Sequence, residues 1–524
     1  MKTRIVLPVI LLFLLLLTAC GNDQTSANTV SDTGITEIRL QDDLITVDGS
    51  PVTSETSAAV YTARDIVYYE SGKDFTYGEG ADADAHSLDD AAAHTVVHIT
   101  QPGTYSIAGT LSQGQISVDL GSDAKGDPNA VVTLILNGVD ITCEVAPAII
   151  FYNVYECGSK DAETASEAVD TSTAGANVMI ADDTVNTVRG SYVARIYQPD
   201  SVVLNKDGTA VEDAKKLHKY DGAFYSRMSM NVDGGKNNTG ELHIHAENEG
   251  LDSELHLTIN GGRIYIDSGN DGINTNEDGV SVTSIHGGTL SIHVNGKTGE
   301  GDGIDSNGWL VINGGTVIAE ACAASADAGI DSDMGIHING GTVLATGHML
   351  DRIEDGSQNY AVFSFAEPQN GSHMIRLKTE DGSTRMEWKP ENDFSVLIYS
   401  SPDLTAGTYT LWSDDTQLAC QIGGMSGKPG APGERPASMS EGTAPPEGAE
   451  MIPPEGFDEE MPPPGTAPFP AFDPPEPPDF SDTETPPPAD RDMANRPDDL
   501  SQPRTSDFVI SDGGSLFGSV SPTE

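Results

Sequence analysis

Between residues 250 and 342 apolar and polar positions alternate in short runs. Leu255, Leu257 and Ile259, then Leu290, Ile292 and Val294, Leu310 and Ile312, and Met334, Ile336 and Ile338 are interleaved with polar partners such as His256, Ser291, His293 and His337. A period of two predicts strands with one buried face and one wet face. Recurrent turns separate the runs: Asn260-Gly261-Gly262, His286-Gly287-Gly288, Asn313-Gly314-Gly315 and Asn339-Gly340-Gly341 begin 26, 27 and 26 residues apart. A second motif, Gly250-Leu251-Asp252-Ser253, Gly272-Ile273-Asn274-Thr275, Gly303-Ile304-Asp305-Ser306 and Gly329-Ile330-Asp331-Ser332, is spaced 22, 31 and 26, so both series span 79 residues. A fixed period of this size predicts a solenoid. Each repeat reads as strand, Gly-Gly turn, strand, loop and a short third strand; coils stacked ~4.8 Å apart make an all-β, parallel β-helix fold.

That geometry gives the second motif a chemistry. If Leu251, Ile273, Ile304 and Ile330 point inward, alternation sets Asp252, Asn274, Asp305 and Asp331 outward in one column and Glu254, Asn276, Asn307 and Asp333 in a second. Glu249, Asp271 and Asp302 precede the motif, with Ala328 at that place in the last repeat. Carboxylates stacked ~5 Å apart repel by about 1 kcal/mol per pair even in a water-like dielectric, and the columns themselves carry no lysine or arginine. Calcium, which takes ~6–8 oxygen ligands in loose geometry, relieves that repulsion better than magnesium. We expect Ca²⁺ to be held by Asp252, Glu254, Asp271, Asn274, Asn276, Asp302, Asp305, Asn307, Asp331 and Asp333. The alternative is that these residues serve turns through side-chain to backbone hydrogen bonds. Trp309 and Tyr265, both outward by alternation, are the candidate platforms for a sugar ring.

Composition narrows the partners. The 524 residues hold 81 Asp plus Glu against 27 Lys plus Arg, a net charge of -54, which repels nucleic acid and anionic lipid headgroups. Residues 1–19 read as a signal peptide: Lys2 and Arg4, then an apolar run from Ile5 to Leu17 too short to span a membrane. Leu17-Thr18-Ala19-Cys20 resembles a bacterial lipobox, which implies a lipid on Cys20, anchorage to the membrane at the cell surface, and a polar tether over 20–36. Cys143 and Cys157 read either as a disulfide or as small buried thiols. Residues 37–350 are assigned to the β-helix, with an insertion loop at 158–177 and an early, degenerate corner at Gly222-Ala223-Phe224-Tyr225-Ser226. Residues 351–424 read as a small β module that caps the coil and includes Trp388 and Trp412 in its core, and 425–524 as a disordered, acidic, Pro-rich tail. The chain reads as a monomer.

The ordered series ITVDG (45–49), ITQPGTYSIAGTLSQGQISVD (99–119), VTLILNGVDIT (132–142) and the repeated DGI and NGGT resembles the clostridial carbohydrate-binding domain family over roughly residues 37–423. The resemblance implies a right-handed parallel β-helix, bound Ca²⁺ and affinity for plant polysaccharides such as cellulose and pectin, with a fold similar to polysaccharide lyase family nine. Two other functions stay open. A Ca²⁺-dependent pectate lyase would need a base for β-elimination, for which Lys297 is the best placed of Lys236, Arg263 and Lys297. A Ca²⁺-stiffened surface stalk or adhesin would need neither base nor sugar site.

Overall fold

The computed structural model describes residues 34–296, 301–354, 356–421 and 504–523. The signal segment, Cys20, Lys297 and the Pro-rich stretch from 422 to 503 lie outside them. The described chain is nearly all β, and its strands join in three parallel ladders that each take one strand from every repeat. The first runs through Ala176–Ile180, Met230–Asp233, Leu257–Ile259, Val282–Ile285, Trp309–Ile312 and Gly335–Ile338. The second runs through Val185–Gly190, Glu241–Ala246, Arg263–Ser268, Thr289–Val294, Thr316–Glu320 and Thr342–Gly347. The third holds the corner motif: Ile149–Asn153, Gly222–Ser226, Glu249–Ser253, Ile273–Thr275 and Ile304–Ser306, extended by an Ile304 to Ile330 bridge.

In-register pairing stacks like on like. Leu251, Ile273, Ile304 and Ile330 form one fully buried column, and Leu242, Ile264, Leu290, Val317 and Val343 another. The motif glycine has a steric cause. A Cβ on Gly303 would stand 2.3 Å from the Gly329 carbonyl oxygen, and one on Gly272 would stand 2.2 Å from Ile292 Cγ2, so each corner strand packs its bare backbone on the next. Met334 departs from the expected inward series: it is 39% exposed because the strand begins one residue later, at Gly335.

Two segments interrupt the period. Tyr225 pairs in register with Ile150 on the neighbouring strand although the chain between them carries an insertion loop, which ends at 175 rather than 177 because Ala176–Ile180 is a strand, and an antiparallel hairpin of Val193–Tyr197 with Lys216–Tyr220. The hairpin is pinned by Tyr220, whose ring meets Tyr152 at 5.5 Å and Tyr225 at 5.1 Å. Cys143 and Cys157 are free thiols, the first buried and the second half-buried, so no disulfide joins them; burial pushes their pKa values up to about 12 and about 11.

The C-terminal module docks on the second ladder through an antiparallel pair, Thr342–Gly347 with Phe394–Ser400. Glu320 tightens the joint by accepting the Glu391 and Asn392 amides at 2.7 and 2.9 Å. Trp388 is half-buried and packs against the module's apolar cluster, whereas Trp412 is half-buried outside it, with Lys378 Nζ 4.9 Å from its ring. The end of the chain also departs from the expected tail. Phe508–Ile510 pairs with Gly407–Ser413, and Gly514–Pro522 lies between Tyr360–Gln369 and Thr416–Gln421. Phe508, Ile510 and Val520 enter one apolar cluster with Phe363 and Phe394. Phe508→Ala is therefore expected to cost about 3–5 kcal/mol and to raise amide exchange across 360–421 while the ladders keep their protection. Unchanged exchange in the module would show that these strands are dispensable.

Candidate functional site

The third ladder brings the expected acids together, and it buries them. Pairing places Asp252, Asn274, Asp305 and Asp331 in successive register as the spacing predicts, yet Asp252 is 0% and Asn274 8% exposed. Two clusters result. In one, Asp221, Glu249 and Asp252 are all buried and present carboxylate oxygens within 4.8 Å of one another; in the other, Asp302, Asp305 and Asp331 do the same while half-buried. Two unit charges at that distance repel by about 3 kcal/mol at an effective dielectric of ~20.

The carboxyls respond accordingly. Burial, and then the charges of Asp252, Asp221 and Asp271, hold Glu249 well above the ordinary range; burial with Asp221 and Glu254 does the same to Asp252. Burial, followed by Asp331 and Asp271, pushes Asp302 up to about 10, and burial with Asp271 and Asp333 pushes Asp305 to about 7. Glu249 Oε2, Asp252 Oδ2 and Asn274 Oδ1 are buried and accept no hydrogen bond. Such orphaned acceptors are rare, because leaving one unsatisfied costs roughly 1–3 kcal/mol, and more when charged.

Asparagine has a definite place in the columns. Asn274 Nδ2 donates to Glu249 Oε1 at 3.2 Å and Asn276 Nδ2 to Asp252 Oδ1 at 2.6 Å, each amide reaching the acid of the preceding repeat. Asn307 Nδ2 donates to Asp278 Oδ1 and the Asn276 carbonyl. The acids before the motif do partly serve the backbone: Asp271 Oδ1 accepts the Asp302 amide at 2.7 Å, and Asp302 Oδ1 accepts the Ala328 amide at 2.6 Å. That is the turn alternative, realised at these two residues with one oxygen each and at Asp305 through the Ser306 amide.

The hairpin corrects the picture of columns without cations. Lys216 Nζ lies 3.3 Å from Glu254 Oε1 and Lys219 Nζ 2.5 Å from Asp221 Oδ2. Glu254, which also accepts the Tyr225 hydroxyl, is thus held by a lysine and is not one of the three acids of the first cluster. Asp221 was not among the expected ligands, and Glu249 was recognised only as an acid before the motif. Gly222, not Asp221, is the register partner of Glu249, so Asp221 stands one position before the place where the motif carries its acid, and the degenerate corner hid it.

The two aromatic candidates differ. Tyr265 is half-buried with one face covered by His243, ring centroids 4.7 Å apart and planes 14° apart. Trp309 is half-buried, in register with Val282 on one side and Gly335, which has no side chain, on the other. Its indole therefore has the more open flank.

A cleft of about 480 Å³ opens beside the first cluster, lined by Arg195, Lys216, Lys219, Glu254, Asn276 and Asn307 among others. No helix among the described residues is long and apolar enough to cross a membrane.

Comparison with known proteins fits the ladder region. No curated protein matches the chain. A solved polysaccharide lyase-like protein from C. thermocellum, studied as a gadolinium derivative, is similar at 16% identity and a TM-score of 0.29, over 62% of this chain and 91% of that one. The family described as carbohydrate-binding domain-containing proteins matches residues 93–362, which include all three ladders and both acidic clusters. This chain belongs to the carbohydrate-binding domain-containing family.

Proposed function

We propose that the protein is a lipid-anchored, extracytoplasmic binder of polysaccharide whose three ladders wind as a right-handed parallel β-helix, and whose two carboxylate clusters hold Ca²⁺. Family membership supports the carbohydrate partner, and the shared register of the ladders supports the coil. The observation that carries the cation is the pair of buried oxygens, Glu249 Oε2 and Asp252 Oδ2, that lack any donor. The donor set fits a hard ion: carboxylate and amide oxygens alone, with Asp221, Glu249, Asp252 and Asn274 at the first cluster and Asp302, Asp305 and Asp331 at the second. A bound Ca²⁺ supplies positive charge that cancels the repulsion and can accept the carboxylate of an acidic sugar. The protein's part is to hold the oxygens together, and Asn276 fixes Asp252 for that purpose. Trp309 is the stacking candidate beside the motif. Lys297, the best placed of the candidate bases for a lyase, lies outside the described residues.

The test is binding of the full chain to immobilised polygalacturonate and to cellulose with Ca²⁺ and after chelation. The proposal expects retention on polygalacturonate to fall at least tenfold on chelation and to return with Ca²⁺. Retention that ignores chelation would refute the role of the ion, and formation of unsaturated product would replace binding with lysis.

A further inference from the structure

The first cluster differs from the second in having an ammonium at its edge. Lys219 Nζ lies 2.5 Å from Asp221 Oδ2, and the charges of Glu249 and Asp252 act on it as well. Around Asp302 and Asp305 the acting charges are those of other acids. Lys219 sits on the hairpin strand Lys216–Tyr220, whose backbone is held by buried Tyr220. Its side chain is 41% exposed and also lines the 480 Å³ cleft. A lysine stem of four carbons allows the ammonium to leave Asp221 for the cleft while the strand stays in place.

We infer that Lys219 is an exchangeable counter-ion: a divalent cation entering the Asp221, Glu249 and Asp252 cluster displaces its ammonium, which then contacts an anionic sugar in the cleft. The inference rests on the cation reading above. Two positive charges competing for one carboxylate repel, whereas Glu249 Oε2 and Asp252 Oδ2 stand ready to replace the ammonium with oxygen-to-metal contacts. Lys216 and Arg195 on the same wall already pair with Glu254 and Glu79, and Asp221, Glu277 and Asp278 also line it, so the released Lys219 is the base of this lining that is left without a carboxylate partner. Binding of the cation and of an anionic sugar then help one another reciprocally.

Calorimetric titration of Ca²⁺ into the chelator-stripped full chain, with and without Lys219→Met, separates the parts. The variant is expected to bind Ca²⁺ about tenfold more tightly at one site with the second site unchanged, and Lys219→Arg to behave as the parent. At saturating Ca²⁺ the Lys219→Met chain is expected to lose at least fivefold in affinity for a short oligogalacturonate while a neutral cello-oligosaccharide binds equally to both chains. Melting in chelator and in Ca²⁺ verifies folding: the variant melts below the parent in chelator, where Asp221 loses its partner, and not in Ca²⁺. Two Ca²⁺ sites of unchanged affinity in Lys219→Met would overturn the exchange and leave the cation reading intact. Absence of Ca²⁺ binding in all three chains would overturn both. Equal oligogalacturonate affinity would overturn the contact in the cleft.

Discussion

Changing Asp252 and Asp302 together to Asn is expected to raise the melting temperature in chelator and to abolish the further rise that Ca²⁺ gives the parent chain. Each residue lies in a different cluster, with carboxylate oxygens within 4.8 Å of two other acids. Without a cation, each of these carboxyls either stays charged against desolvation and its neighbours or takes up a proton on folding, both at a cost that a neutral amide of the same shape avoids. Asn at 252 keeps an oxygen for the Asn276 amide, and Asn at 302 keeps one for the Ala328 amide, so both existing hydrogen bonds survive. With Ca²⁺ the order reverses. An ion at about 100 times its Kd stabilises a protein by about 2.7 kcal/mol per site, which in a structure of roughly 400 residues corresponds to a rise of about 3 °C per site and about 6 °C for both. The double variant is expected to gain less than about 1 °C by the same scale. A variant that is less stable than the parent in chelator would show that the acids are paired by something other than a cation.

The second large effect is a stability that falls as pH rises, in chelator only. Asp305 and Asp302 are pushed up to about 7 and about 10, mainly by burial and then by neighbouring acids, and Glu249, Asp252 and Asp221 move the same way. In the unfolded chain these groups titrate near ~4. Between those values the folded state holds more protons than the unfolded state, so the slope of unfolding free energy against pH is negative. Stability is greatest near pH 5 and declines through pH 7 to 10. Carboxyls shifted the other way, such as Asp381 at about 2, through its bonds to Thr379 and Ser383, lose their contribution only below pH 4 and leave this window alone. The melting temperature in chelator is expected to be about 5–10 °C lower at pH 8 than at pH 5.5. In Ca²⁺ the deprotonated form is the bound form, and the decline is expected to flatten or reverse. Melting curves at four pH values, with and without the ion, measure both. A chelated protein whose stability rises from pH 5.5 to 8 would contradict the clusters as described.

Local periodicity made much of this visible in the sequence, and non-local packing hid the rest. The alternation around Ile264, Leu290 and Val317 reported the buried face because the same residues stack in register. The Asp and Asn column was legible for the same reason. Its burial was not, since it depends on a hairpin that the sequence inserts between Gly190 and Gly222 and that returns through Tyr220 to the ladder. Asp221 was missed because Phe224-Tyr225 stands where Leu251-Asp252 stands in the next repeat, which disguises the corner. No local pattern singles out Lys216 and Lys219, which the fold sets against Glu254 and Asp221. The strand at Gly514–Pro522 pairs with residues more than 90 positions earlier, a contact that no local pattern announces.

The most direct measurement is a count of Ca²⁺ bound to the chelator-stripped full chain by equilibrium dialysis, repeated on the Asp252→Asn and Asp302→Asn single variants. The account predicts at least two tightly held ions in the parent and the loss of a different one in each variant. Full occupancy in both variants, or no tightly held ion in the parent, would contradict it.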